Sequence, residues 1–225
     1  MLNGLQLTAL LLVGAAISVS PLHAQPKKVE ISKNITLEVD GATRRVLVNT
    51  TVCLRQGQLE QLLTRKRTKE HEAILVADID ARELHKALLL AGAEPGSPVK
   101  FQPKFVAPSG TAVKVSVEYK ANGKTIRRPA QDWLRNIKTQ KPLEADWVFA
   151  GSRLFKDPMN PNAAPYYLAN DGDIVCIANF DTALLDVPFV STMDNDHLTF
   201  EANTDLIPPL EASVTLILEP VRAKK

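Results

Sequence analysis

The chain has 225 residues, 27 lysines and arginines against 25 carboxylates, a formal net charge of +2, and 45% apolar residues. That length and apolar content support a packed core without metal or disulfide staples. Nucleic acid is not an expected partner, because the basic stretch Arg65-Lys66-Arg67-Thr68-Lys69 has no interleaved aromatics and the chain reads as exported; two cysteines with no close-spaced Cys/His set suit neither an iron–sulfur cluster nor structural zinc.

Residues 1–24 contain no Lys, Arg, Asp or Glu, and 7–19 is an almost unbroken apolar run. Ser20, Pro21, Leu22, His23 and Ala24 follow, and charge begins at Lys27. The pattern predicts a secretory signal peptide cleaved after Ala24. The run is shorter than the roughly 20 apolar residues that span a bilayer, and no later stretch reaches that length. The expected mature chain, 25–225, reads as one domain in the periplasm or cell envelope.

Alternation over 35–39, Asp40-Gly41, and the answering 45–48 predict a hairpin, with 52–55 prolonging the strand to a turn at Gln56-Gly57. Residues 59–63 and 72–79 predict strands, the second central. Asp80 opens a helix over about 80–91, with Glu83 at capping-box spacing, Leu84, Leu88 and Ala91 as its buried stripe, and Gly92 as its stop. His85 lies off that stripe, at the solvent edge. Residues 95–96 and 103–110 predict loop. Strand 113–119, Asn122-Gly123 and 124–128 predict a second hairpin. Residues 130–136 predict a short helix placing Trp133; 147–149 is strand; 157–165, rich in Pro and Asn, is an ordered loop. Residues 166–169 and 173–179 predict a hairpin around Asn170-Asp171-Gly172, and 213–218 a last strand. The fold class expected is α+β: a mainly antiparallel sheet, one clear helix and long ordered loops.

Charge is unevenly distributed. Residues 25–141 carry 22 Lys and Arg against 12 carboxylates, and 142–211 carry 2 against 12. Either the halves present opposite surfaces, or an antiparallel fold interleaves them and the field cancels. Cys53 and Cys176 are a possible disulfide in an oxidising compartment, or two small hydrophobes in apolar strands.

The densest polar cluster is Lys69, Glu70, His71 and Glu72. On an extended chain Glu70 and Glu72 share one face, and Lys69 and His71 the other. A histidine between carboxylates suits acid–base work or a ligand contact, or it serves to fix a hairpin. The paired histidines of a helical zinc site are absent. Ser152 lacks the second glycine and following helix of a nucleophile elbow. Asn170-Asp171-Gly172-Asp173 and Asp194-Asn195-Asp196-His197 lack the donor spacing of a calcium loop. No cofactor is expected.

Val52-Cys-Leu-Arg55, Glu60, Lys69-Glu-His-Glu72, Ala91-Gly-Ala-Glu-Pro-Gly96 and Asp146-Trp-Val-Phe-Ala-Gly-Ser152 together resemble the YdjY-type domain. That family comprises exported bacterial proteins whose function is uncharacterised. The resemblance runs from about Ile35 to Pro220 and implies one continuous, extracytoplasmic domain. The leading expectation is a non-enzymatic binding or accessory module for an unknown ligand or envelope protein. Its ligand-binding residues would be Lys69, Glu70, His71, Glu72, Arg55, Trp133 and Asp146. Two alternatives stand beside it: a hydrolase using His71 with a neighbouring carboxylate, and a structural envelope protein self-associating through its opposite charges.

Overall fold

The computed structural model describes residues 25–192 and 198–221. The leader expected over 1–24 and the polar loop at 194–197, with His197, lie outside the described residues.

Lys27–Ser32 (β1), Ile35–Asp40 (β2) and Thr43–Val52 (β3) form an antiparallel meander. Gln58–Leu59 (β4) and Gln61–Arg65 (β5) are separated by Glu60, where the chain leaves one sheet for another. Residues 66–72 turn into Ala73–Ala77 (β6). The helix, Ala81–Leu90 (α1), lies within the expected limits and buries Ala81, Leu84, Ala87 and Leu88. Asp80 caps it by accepting from the Arg82 amide at 2.8 Å, and Asn170 Oδ1 accepts from Ala81 at 2.8 Å. Glu83 pairs with Lys86 rather than completing a capping box.

Pro95–Ser97 (β7) and Ser109–Gly110 (β8) pair as a small ribbon in the stretch expected to be loop. Ala112–Ala121 (β9) and Lys124–Pro129 (β10) form the expected hairpin, with Asn122 and Gly123 both at positive φ. A 3-10 turn, Ala130–Trp133, leads into Leu134–Asn136 (β11), and Trp147–Phe149 (β12) follows. Leu154–Phe155 (β13) pairs with Tyr166–Tyr167 (β14), which a 3-10 turn, Leu168–Asp171, continues. Val175–Cys176 (β15), Leu185–Asp186 (β16), Phe200–Ala202 (β17) and Ser213–Pro220 (β18) complete the chain. The hairpin expected around Asn170-Asp171-Gly172 is not formed: β14 pairs backwards with β13, and β15 joins β5 and β16.

The expected α+β class does not hold. The protein is mostly β, and its main sheet is not open but closed into an eight-stranded barrel. The order runs β3-β18-β9-β12-β16-β15-β5-β6 and returns to β3 through Thr51↔Val76 and Val52↔Leu75. Closure gives each of these eight strands two neighbours, while β1 and β10 remain edge strands outside the ring. Strand periodicity reports which face a residue takes, but not which strand pairs with which, so closure left no trace in the pattern. Two of the barrel pairings, β5–β6 and β15–β16, are parallel. Each is joined by fewer residues than the dozen or more of a usual parallel crossover, so the connecting chain folds tightly over the barrel.

The core is continuous, with Trp133, Trp147 and Phe149 as its largest fully buried side chains. Strands β12, β15 and β16, from the acidic half, sit between β9 and β5 from the basic half. Ion pairs Arg45–Glu219, Lys69–Asp173 and Arg135–Glu201 bridge distant parts of the chain. Two of these pairs, Lys69–Asp173 and Arg135–Glu201, join the basic stretch 25–141 to the acidic stretch 142–211.

Candidate functional site

The β5–β6 pairing aligns Gln61 with Ala73, so residues 66–72 must double back along the strand. Arg67 takes a positive φ of 67°, and the Thr68 hydroxyl donates to the Arg65 carbonyl at 2.6 Å. Thr64 and Thr68 close over the Gly172 carbonyl, where a Cβ on residue 172 would lie 2.6 Å from Thr68 Oγ1 and 2.7 Å from Thr64 Oγ1. Glycine is therefore required at 172 both for space and for its φ of 119°.

This turn corrects the extended arrangement expected for residues 69–72. Lys69 and Glu72, three apart, both turn toward the barrel, where Lys69 Nζ lies 3.8 Å from Glu72 Oε1. Lys69 Nζ also sits 2.9 Å from Asp173 Oδ1 and 4.2 Å over the Phe180 ring. His71 is left 78% exposed, with Nε2 3.6 Å from Glu72 Oε2. Glu70 folds back to accept from the Arg67 amide; those backbone hydrogen bonds outweigh its slight desolvation and hold its carboxyl below the usual range.

Behind Lys69 lies a polar interior that brings together Glu60, Asp173 and Asp186. Glu60 is 7% exposed, and burial, then the Glu72 carboxylate, push its pKa up to about 7. Asp173 accepts from Gln61 Nε2 and Thr182 Oγ1. Asp186 is fully buried and pushed up to about 7 by desolvation, although Asn179 Nδ2 and the Val187 amide donate to its Oδ1. At Lys69 burial pulls the ammonium pKa down, but Asp173 and Glu72 together leave it raised. Glu60, Asp173 and Asp186 thus form an acidic interior closed by Lys69. Among the described residues, no cluster of three or more His, Cys, Asp or Glu has the arrangement to hold a metal ion.

On the other side of the 66–72 turn a groove of about 1100 Å³ runs over the barrel's outer face. Alternation along β3, β18 and β9 buries Thr50, Val214 and Tyr119 and turns Asn49, Thr51, Ser213, Thr215 and Glu118 outward. Register places Thr215 between Asn49 and Glu118, and Ser213 beside Thr51. The Lys33–Asp78 ion pair, Lys66 and Glu70 rim the groove.

The other expected site residues are not brought together. Arg55 donates to the Thr204 and Ile207 carbonyls at 3.0 Å, pinning the chain before β18. Trp133 is fully buried against Tyr119, with ring centroids 5.8 Å apart, so it cannot meet a ligand. Its indole N–H has no acceptor among the described residues. Trp133→Phe removes that unpaired donor together with a little volume. The two effects oppose each other, and denaturant unfolding is expected to show a change below about 1.5 kcal/mol. A loss above about 3 kcal/mol would show that the vacated volume outweighs relief of the unpaired donor. Asp146 accepts from Gln131 Nε2 at 3.4 Å on a different face.

The possible disulfide does not form. Both thiols are free. Cys53 follows β3 and donates to the Ala73 carbonyl at 3.1 Å, while Cys176 is buried in β15, with β5 and β6 intervening. At about 4.8 Å per strand that separation exceeds the roughly 7 Å Cα reach of a disulfide. Burial, reinforced by Glu70, pushes the Cys53 thiol up to about 12.

His85 is half-buried at the edge of the helix's buried stripe, as expected; it packs edge-on to Phe149 and Tyr167, and its Nδ1 lies 2.7 Å from the Tyr167 hydroxyl. Burial lowers its pKa. The Ser152 hydroxyl donates to the Thr182 carbonyl and accepts from the Ala169 amide, so it is structural. No helix among the described residues is long and apolar enough to cross a membrane.

Among known protein families, the model of the YdjY domain matches residues 37–219. No curated protein and no solved structure matches the chain.

Proposed function

The chain belongs to the YdjY domain family, and from that premise we propose that it is an exported, non-enzymatic module that binds a hydroxyl-rich polar ligand, such as a glycan strand, in the periplasm or cell envelope. Export rests on the uncharged, apolar sequence of residues 1–24. The observation that carries the binding reading is the outer groove. Its floor is the cross-strand set Asn49, Thr51, Ser213 and Thr215, whose amide and hydroxyl groups make no bond to the rest of the described protein apart from the backbone ladder. Uncharged donors and acceptors on a rigid sheet suit a ligand that offers many hydroxyls.

A hydrolase centred on His71 finds no support in the same geometry. Its imidazole is exposed, and Glu72 at 3.6 Å is its one ion-pair partner among the described residues. Among those residues, no Ser, Thr or Cys hydrogen-bonds to a histidine, the pairing that activates a nucleophile. Self-association through opposite charges is also disfavoured, because the two halves of the chain interleave.

The test is binding to purified cell-wall glycan by sedimentation, comparing the natural protein with Thr51→Val/Thr215→Val. Valine keeps the strand shape and removes both hydroxyls. Wild type should co-sediment, and the double variant should lose about tenfold or more in affinity at unchanged melting temperature. Equal binding by both proteins, or none by wild type, overturns the reading.

A further inference from the structure

The barrel wall has one gap that the strand register makes visible. On the edge of β9 away from β18, β10 pairs with residues 116–121 and β12 with 112–113. Lys114 and Val115 therefore have no partner strand on that side. A cavity of about 410 Å³ opens there, between the end of β10 and the start of β12.

Four side chains around it are left incomplete. Arg128 turns inward beside Ile126 and is half-buried, yet its guanidinium makes no hydrogen bond or ion pair among the described residues, and its Nε is shut off from solvent. Gln131 spends its Nε2 on the Ala145 carbonyl at 3.1 Å and on Asp146 Oδ1 at 3.4 Å. That orientation leaves Gln131 Oε1 buried without a donor. Lys114 has no ion pair among the described residues, and Arg127 reaches only the Ser116 hydroxyl, at 3.3 Å. The one carboxylate of β18 at the rim, Glu219, is already held by Arg45 at 2.7 Å.

Leaving a buried donor and a buried acceptor unpaired is costly, and a half-buried guanidinium without an anion more so. We propose that this gap is a binding site for a small hydroxy-carboxylate, of the uronic-acid class. The ligand carboxylate lies against Arg128, with Arg127 and Lys114 adding charge at the mouth; a guanidinium matches the planar carboxylate fork. A ligand hydroxyl adjacent to the carboxylate donates to Gln131 Oε1. Asp146, fixed by Gln131, accepts a second hydroxyl and disfavours a doubly charged phosphate by repulsion. The volume is of the size that holds one small ligand. This site uses different residues from the outer groove and stands whether or not the groove binds glycan.

The test is calorimetric and NMR titration of the purified protein with D-glucuronate, D-glucose and inorganic phosphate. Glucuronate should bind at least about tenfold more tightly than either of the others and shift the amides of Lys114, Val115 and Gln131. Arg128→Met should abolish that binding without lowering the melting temperature, since it removes an unpaired buried donor. Gln131→Met, a second variant of unrelated charge, should weaken it by about tenfold or more. The proposal is overturned if glucose binds as well as glucuronate, if phosphate binds better, if no ligand binds, or if Arg128→Met leaves affinity unchanged.

Discussion

Replacing Lys69 by methionine is expected to destabilise the protein by about 3 kcal/mol, and adding Asp173→Asn should recover most of that loss. Lys69 Nζ lies 2.9 Å from Asp173 Oδ1, and the Asp173 side chain is only 5% exposed. Removing one member of a buried pair strands the other charge away from water, a cost of roughly 3–5 kcal/mol. Lys69 keeps a quarter of its surface exposed, so solvent screening places the effect at the lower end. It also loses the contact with Phe180. Asparagine at 173 removes the stranded charge while keeping an acceptor for Thr182 or Gln61. Urea unfolding of both single variants and the double gives the coupling directly. A cost below about 1 kcal/mol for Lys69→Met would mean that water already reaches Asp173, and the interior described above would be a surface feature.

Stability is expected to fall as pH rises from about 4 to above 7, by several kcal/mol in total. Glu60 and Asp186 have ordinary values of 4.5 and 3.8, and in the folded protein both are raised to about 7. Between those limits the folded state holds protons that the unfolded state has released. The stabilisation is therefore complete below about pH 4 and lost as pH passes through 7. A tenfold change in proton affinity is worth about 1.4 kcal/mol. The effect at Glu60 is smaller than its raised pKa alone implies, because it shares its environment with Glu72 and Lys69. Asp80 acts in the opposite sense: Arg82 holds it at about 2, so its contribution is present above about pH 4 and fades on strong acidification. The optimum should consequently lie in mildly acid solution. Denaturant unfolding from pH 4 to 9 checks this, with Glu60→Gln and Asp186→Asn each expected to flatten the slope. A flat profile for wild type, or an unaltered slope in both variants, would refute the protonated interior.

Half of the polar cluster at 69–72 was legible because its composition is unusual for the approach to an apolar strand. Lys69 and Glu72 do face the interior. Glu70 and His71 do not, because a tight parallel connection replaced the extended chain that alternation assumes. Glu60 entered only through the family resemblance, Asp173 only as part of a polar turn, and Asp186 gave no local signal; their meeting depends on β5, β15 and β16 lying side by side. Arg128 and Gln131 were equally silent, since an unpaired guanidinium is recognised only when its surroundings are known. Trp133 and Arg55, expected to bind ligand, instead hold the fold together.

By itself the sequence determined the local elements that short-range physics governs. The Asp80-capped helix, the Asn122-Gly123 hairpin, the alternating strands β3, β9 and β18, and the family carried by residues 52–152 could all be read from it. Only the tertiary structure decided that the sheet closes, that residues 66–72 and 177–184 run as tight parallel connections, and that Cys53 and Cys176 stay apart. The reason lies in the range of the interactions: capping, turn geometry and alternation act over a few residues. Strand partnership is set by which buried faces fit together across the whole chain, and such fits are invisible to any window of sequence.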